Sequence, residues 1–238
     1  MKNKINKTWG YNIPEVYYGR FSMITEFINN NIPQETFTII DWGSDSGWTS
    51  VALSNYYSDS SNVISIDSGI MYNNTSCIDD HLRAIGEYKI KNNTVLKMTF
   101  TEQTWQDIHP CPVNIQLLLS IFHWTGTGRN LSVSQWDTAF STIIKAAEYT
   151  FIEIPNRENP NESPHEIRNW YNDRDEYDVL KQALDANDIK NKIYYLGSTT
   201  HGKKGPRKTF VVHNLALGNT IDNNVADIVK TKYQEFIM

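Results

Sequence analysis

Phe37-Thr-Ile-Ile-Asp-Trp-Gly-Ser-Asp-Ser-Gly-Trp48 is an apolar run that closes on a carboxylate, Asp41, and passes into a turn carrying Gly43 and Gly47. Trp48–Tyr57 then has the make-up of a helix. Glycines let a backbone turn sharply and approach a ligand where any Cβ would collide. The following helix offers unpaired N–H groups to the same ligand. A strand, a glycine turn and a helix in this order are what a nucleotide-handling loop requires.

Working outward, Phe21, Ile24, Phe27 and Ile28 recur at helical spacing, predicting a helix over 20–30 that Pro33 stops. Asn62–Asp67 reads as a second strand, again apolar and ending in a carboxylate, which completes a βαβ unit. Ile78, Leu82 and Ile85 predict a helix over 78–88, and Thr94–Phe100 and Val113–Ser120 predict the third and fourth strands. A Gly-rich loop, Thr125–Arg129, precedes a helix whose apolar face takes Trp136, Phe140, Ile143, Ile144 and Ala147, with Ser132 or Ser134 as N-cap. Tyr149–Ile154 is the fifth strand. Ser163-Pro-His-Glu166 is a capping box that opens a helical region broken near 173–175. Lys192–Leu196 and Lys208–His213 form a closing hairpin joined by 197–207. Asp222 or Asn223 caps a last helix striped with Val225, Ile228, Val229 and Phe236.

The pattern is an α/β fold with a mostly parallel sheet, one antiparallel strand and helices on both faces. It divides into an N-terminal aromatic arm and helix (1–33) suited to a lid, a core domain (34–217) and a C-terminal helix (218–238) packed on that domain. At 238 residues with 39% hydrophobic and 21% charged content, the chain has the composition of a soluble globular domain. A net charge of −5 and a pI near 5.7 give no whole-molecule attraction for nucleic acid. No run approaches the ~18 apolar residues that span a bilayer, and the basic N-terminus lacks a signal-peptide core. Cys77 and Cys111 are isolated, as expected of idle thiols in a reducing cytoplasm. The scattered histidines make no compact ligand set, and no metal is expected.

Asp41-Trp-Gly-Ser-Asp-Ser-Gly47 resembles the first motif of the class I S-adenosylmethionine-dependent methyltransferases, an acidic residue followed by a glycine-rich turn. Asp45 stands where that motif keeps its middle glycine. Asp67 falls at the end of the second strand, where the family has its ribose-binding carboxylate. The late hairpin matches the family's seven-stranded, Rossmann-like sheet. A dinucleotide-binding oxidoreductase would instead favour a third glycine at position 48, which is Trp. The resemblance implies S-adenosyl-L-methionine as cofactor, held by Asp41, Gly43, Gly47, Asp67, Arg20 and Ser120. Asp67 also suits a plain turn after a strand, Asp41 a simple cap, and Arg20 a surface position.

A second resemblance concerns the acceptor. Trp9-Gly-Tyr-Asn-Ile-Pro-Glu-Val-Tyr-Tyr-Gly-Arg20 is similar to the G-N-Y-x-x-Y-Y-G-x-R segment of methyltransferases that cap RNA 5′-phosphates. Leu118-Leu-Ser-Ile-Phe-His-Trp124 is similar to their L-S-x-x-K-W segment, with His123 in place of the lysine. Both are also similar to segments of bacterial enzymes that methylate a polysaccharide-terminal phosphate. The likeness implies an oxygen acceptor, with a phosphate on a glycan or nucleic acid favoured. It gives catalytic roles to His123 and Tyr18 and substrate contacts to Tyr11, Tyr17 and Trp124. Lys203, Lys204 and Arg207 lie in the dense basic stretch between the last two strands; they are either acceptor contacts or a solvated hairpin tip. His123 is either a base, an anion-binding donor or a half-buried ring beside Trp124. A non-catalytic relative serving as a binding or scaffold subunit stays open.

Overall fold

A computed structural model describes residues 15–69, 77–108, 111–122, 131–155, 166–200, 206–218, 221–222 and 224–238. Tyr11, His123, Trp124, Lys203, Lys204, the 125–129 loop, Asn223 and residues 163–165 of the expected capping box lie outside them, as does the side chain of Tyr17. The chain forms two compact units, Met1–Thr99 with Ala226–Met238, and Phe100–Val225. The seven strands among the described residues form one mostly parallel, Rossmann-like sheet in which the last strand in sequence runs antiparallel to its neighbours.

In the first unit the order is α1 (Glu15–Asn31), β1 (Phe37–Trp42), α2 (Trp48–Tyr56), β2 (Ser61–Asp67), α3 (Cys77–Glu87) and β3 (Asn93–Lys97). β1 pairs with β2 in parallel, Asp41 beside Ser65, and β2 pairs with β3 in parallel, Asp67 beside Lys97. Every residue of β1 is buried, as an apolar run covered on both faces requires. Phe21, Ile24, Phe27 and Ile28 of α1 are buried as their spacing predicts, and the helix begins earlier than the periodicity suggested. Tyr56 is on the exposed side of α2 and meets Phe21 edge-on at 6.1 Å. The helix ends there, and Tyr57 turns in to pack on Phe37 at 5.1 Å.

In the second unit α4 (Glu102–Ile108) precedes β4 (Val113–Leu119), α5 (Val133–Ile144) and β5 (Ala147–Ile154). Then come α6 (Glu166–Tyr171), α7 (Glu176–Asp185), β6 (Asn191–Thr200) and β7 (Pro206–Asn214). β4 and β5 are parallel; β7 runs antiparallel to both β5 and β6. Ser132 caps α5 in a reciprocal box with Gln135. Ala147 belongs to β5 rather than to that helix. Phe122, just past β4, is wedged among Trp136, Phe140 and Trp170 with ring centroids 5.1–5.5 Å away, so the exit of β4 is anchored.

Three expectations need correction. The third strand stops at Lys97, because Thr101 and Thr104 fold the chain into α4, a helix the sequence reading did not place. Its signal was Trp105 and Ile108, both buried one turn apart. The hairpin connection is shorter than 197–207, and Arg207 stands in β7. On the last helix, α8 (Val225–Lys232), Ile228 is exposed and the buried stripe is Val225, Ala226 and Val229, with Tyr233 buried just beyond it. Phe236 sits in a separate 3-10 turn, Gln234–Phe236. No described helix is long and apolar enough to cross a membrane.

Candidate functional site: the glycine turn and the carboxylate of the second strand

Within the first unit the ends of β1 and β2 bring the expected donor residues together. The Gly43 and Ser44 N–H groups both donate to the Ile66 carbonyl, at 2.8 and 3.0 Å. The turn then closes with Gly47 N–H on Ser44 O at 2.9 Å. Gly43, Asp45 and Gly47 all take left-handed backbone, with φ of 67°, 50° and 77°. Asp45 therefore keeps the conformation of the glycine it replaces, because Asp and Asn tolerate that region better than other L-residues. Its N–H donates to Asp67 Oδ2 at 3.0 Å. Asp67 Oδ1 accepts from Gly69 N–H at 2.8 Å and from the Cys77 thiol at 3.4 Å. A carboxylate has about four acceptor positions, so roughly one stays available to a ligand hydroxyl. Burial, with Asp67 beside it, pushes the Cys77 thiol up to about 12, so the sulfur is a neutral donor.

Asp41 is buried and accepts from Ser50 Oγ, in the first turn of α2, at 2.5 Å. Burial pushes its pKa up to about 7, opposed by the Ser50 bond and the Arg20 charge and reinforced by Asp67 and Asp45. Arg20 is itself buried on α1, not at the surface, and Tyr18 is half-buried. A carboxyl whose folded pKa lies above its unfolded value stabilises the protonated fold, and that contribution fades as pH rises through about 7. Asp41's own contribution to stability is therefore expected to fall as pH rises from about 4 toward 7, so wild type should lose stability relative to Asp41→Asn over that range. Urea midpoints at successive pH values check this.

His81 of α3, fully buried, lies against Gly47. A Cβ at position 47 would stand 2.2 Å from its Cδ2 and 2.3 Å from its Cγ. Gly47→Ala thus meets a steric overlap as well as a φ of 77°. We expect it to lower the thermal midpoint and to weaken any ligand of the turn at least ~10-fold, read by calorimetry.

The second unit holds Ser120, placed among the donor contacts, and Arg207, placed among the acceptor contacts. Ser120 leaves β4 in left-handed backbone at φ 63°, and its hydroxyl donates to Glu153 Oε2. Glu153, fully buried in β5, accepts from Thr199 Oγ1 at 2.7 Å and has Arg207 Nη1 at 3.8 Å. Arg207 is only 4% exposed, so its charge is turned to Glu153. Glu153 escaped the sequence reading because it lies inside an apolar run; a charge in such a run was the available signal. Ser50, Cys77 and His81 were missed too, although Cys77 and His81 stand one helical turn apart on α3.

No protein-family model matches the sequence, and no curated protein sequence matches it. Solved structures do. A SAM-dependent methyltransferase from Aquifex aeolicus aligns with TM-score 0.50 and 17% identity, over 90% of this chain and 97% of that one. Magnesium protoporphyrin IX methyltransferase from Synechocystis PCC 6803 with bound SAH aligns with TM-score 0.55 and 10% identity, over 90% and 92%. This chain has the class I methyltransferase fold. The methyltransferase domain of METTL16 is similar at TM-score 0.55 and 10% identity, over 88% of this chain and 75% of that domain. At these identities the likeness is one of fold.

Proposed function

We propose that this chain is an S-adenosylmethionine-dependent methyltransferase acting on an oxygen acceptor, with a phosphate carried by a glycan or nucleic acid as the favoured class. The observation that carries the donor reading is the pairing of Asp67 with the Asp45 N–H, which sets a carboxylate with spare acceptor capacity at the glycine turn. The residues fit such a donor: a turn whose Gly47 admits no Cβ, and two buried polar groups there, Ser44 Oγ and the His81 ring, that lack partners among the described residues. S-adenosylmethionine, when bound, supplies a sulfonium methyl for in-line displacement, with the sulfur keeping the bonding electron pair.

The chain's own part is to bind, align and exclude water. Asp67 takes a ribose hydroxyl, Gly43 and Gly47 keep the backbone low, and Asp41 with Ser50 fixes the start of α2. Alignment of this kind can account for up to about 7–11 kcal/mol of a barrier. A phosphate acceptor is already anionic and needs no base, so His123 would donate hydrogen bonds to it, and Tyr18 and Trp124 are assigned to the same reaction. Tyr11 and Tyr17 are assigned to the acceptor in the same reading, with residues 1–33 as a lid. Glu153 opposes the charge of Arg207, which leaves Lys203 and Lys204 as the cations that draw an anionic acceptor in. A reducing, cytoplasmic setting accords with the two unpaired cysteines.

Titration of the full chain with S-adenosylhomocysteine is expected to show one site and a rise in thermal midpoint; neither at millimolar ligand would favour the non-catalytic scaffold reading. Radiolabelled donor is then expected to mark phosphate-terminated oligosaccharide or 5′-phosphorylated RNA. Labelling of an acceptor whose phosphate was removed by phosphatase beforehand would point to another oxygen.

A further inference from the structure

Beside the glycine turn lies an imidazole to which the described residues offer no hydrogen bond. His81 is 0% exposed, and among the described residues neither Nδ1 nor Nε2 has a partner. Its Cδ2 corner faces Gly47, whose hypothetical Cβ would lie 2.2 Å from Cδ2, 2.3 Å from Cγ and 2.5 Å from Nε2. Ser44 Oγ, in the same turn, is likewise buried and unpartnered. The neighbours of His81 on the inward face of α3 are Cys77 and Ile78, with Leu82 and Ile85 packed beside them, so the helix offers an apolar setting. An apolar side chain at position 81 would cost the ligand-free fold nothing in hydrogen bonds, whereas an unpaired polar ring does. Residues kept against the stability of the resting fold mark functional sites.

We propose that His81 is a positioning residue of the donor site, whose Nε2 makes its hydrogen bond to the glycine turn only when the donor occupies it. This rests on the donor reading above. Burial holds the imidazole down to about 4, so at neutral pH the ring is uncharged, with one nitrogen a donor and the other an acceptor. It can therefore meet either an N–H or a carbonyl of the turn. Pairing in the bound state alone makes His81 contribute to affinity while it costs the empty protein stability.

The test uses His81→Phe and His81→Gln in the full chain, with thermal unfolding of the ligand-free protein and calorimetry with S-adenosylhomocysteine. The phenylalanine variant is expected to melt roughly 2–4 °C higher when empty. It should bind S-adenosylhomocysteine at least ~10-fold more weakly, while the glutamine variant stays within about threefold of wild type. Should the phenylalanine variant fail to fold, His81→Leu gives the same comparison. Wild-type affinity in the phenylalanine or leucine variant would overturn the assignment, as would equal losses in the glutamine and apolar variants. A wild-type chain that binds no S-adenosylhomocysteine would overturn the donor reading and this inference with it, so the two failures are distinguishable.

Discussion

Asp67→Ala is expected to weaken S-adenosylhomocysteine binding about 100-fold in a calorimetric titration. The carboxylate fixes the turn at the end of β2 through the Asp45 and Gly69 N–H groups, and on the proposed donor reading its remaining acceptor position takes a ribose hydroxyl. A hydrogen bond to a charged group contributes about 1.5–3 kcal/mol, so losing the ribose contact alone corresponds to roughly 10- to 150-fold. Asp67→Asn should lose less, since one oxygen stays able to accept. Cys77 loses its acceptor in the alanine variant, but its thiol is a weak donor, so the fold should survive. An unchanged affinity in a folded Asp67→Ala protein would remove the ribose assignment.

Glu153→Ala should produce the largest loss of stability. Removing this buried carboxylate leaves the Arg207 charge buried and takes the acceptors away from Ser120 and Thr199. Breaking a buried pair from one side costs about 3–5 kcal/mol, and at this chain length that lowers the thermal midpoint by roughly 10 °C. Ser120 would also lose the bond that accompanies its left-handed backbone. Glu153→Gln keeps two side-chain hydrogen bonds and drops the charge, so it should fall between alanine and wild type. Combining Glu153→Ala with Arg207→Leu should recover part of the loss, since the buried cation that faced Glu153 is then gone. Equal midpoints for Glu153→Ala and wild type would show that the network carries no stability.

Much of the fold was legible because buried strands write themselves as apolar runs with carboxylates at their ends. Phe37–Asp41 and Asn62–Asp67 were read this way, and both are strands that deliver Asp41 and Asp67 to one turn. What escaped the reading depends on contacts between segments distant in sequence. Arg207 was assigned to a loop because it adjoins a basic run, yet Glu153, far earlier in the chain, holds it in β7. His81 looked like a scattered histidine, and only the approach of α3 to Gly47 gives it meaning. Short α4 has too few residues for a helical period to stand out. The middle position of the motif illustrates the converse: Asp45 departs from glycine in letter and keeps glycine's backbone.

The central claim is that the glycine turn and Asp67 form a methyl-donor site. A crystal structure of the full chain with S-adenosylhomocysteine tests it most directly. The account predicts ligand density over Gly43–Gly47, with a ribose oxygen about 3 Å from the Asp67 carboxylate. Ligand bound away from the turn, or ribose hydroxyls turned from Asp67, would contradict it.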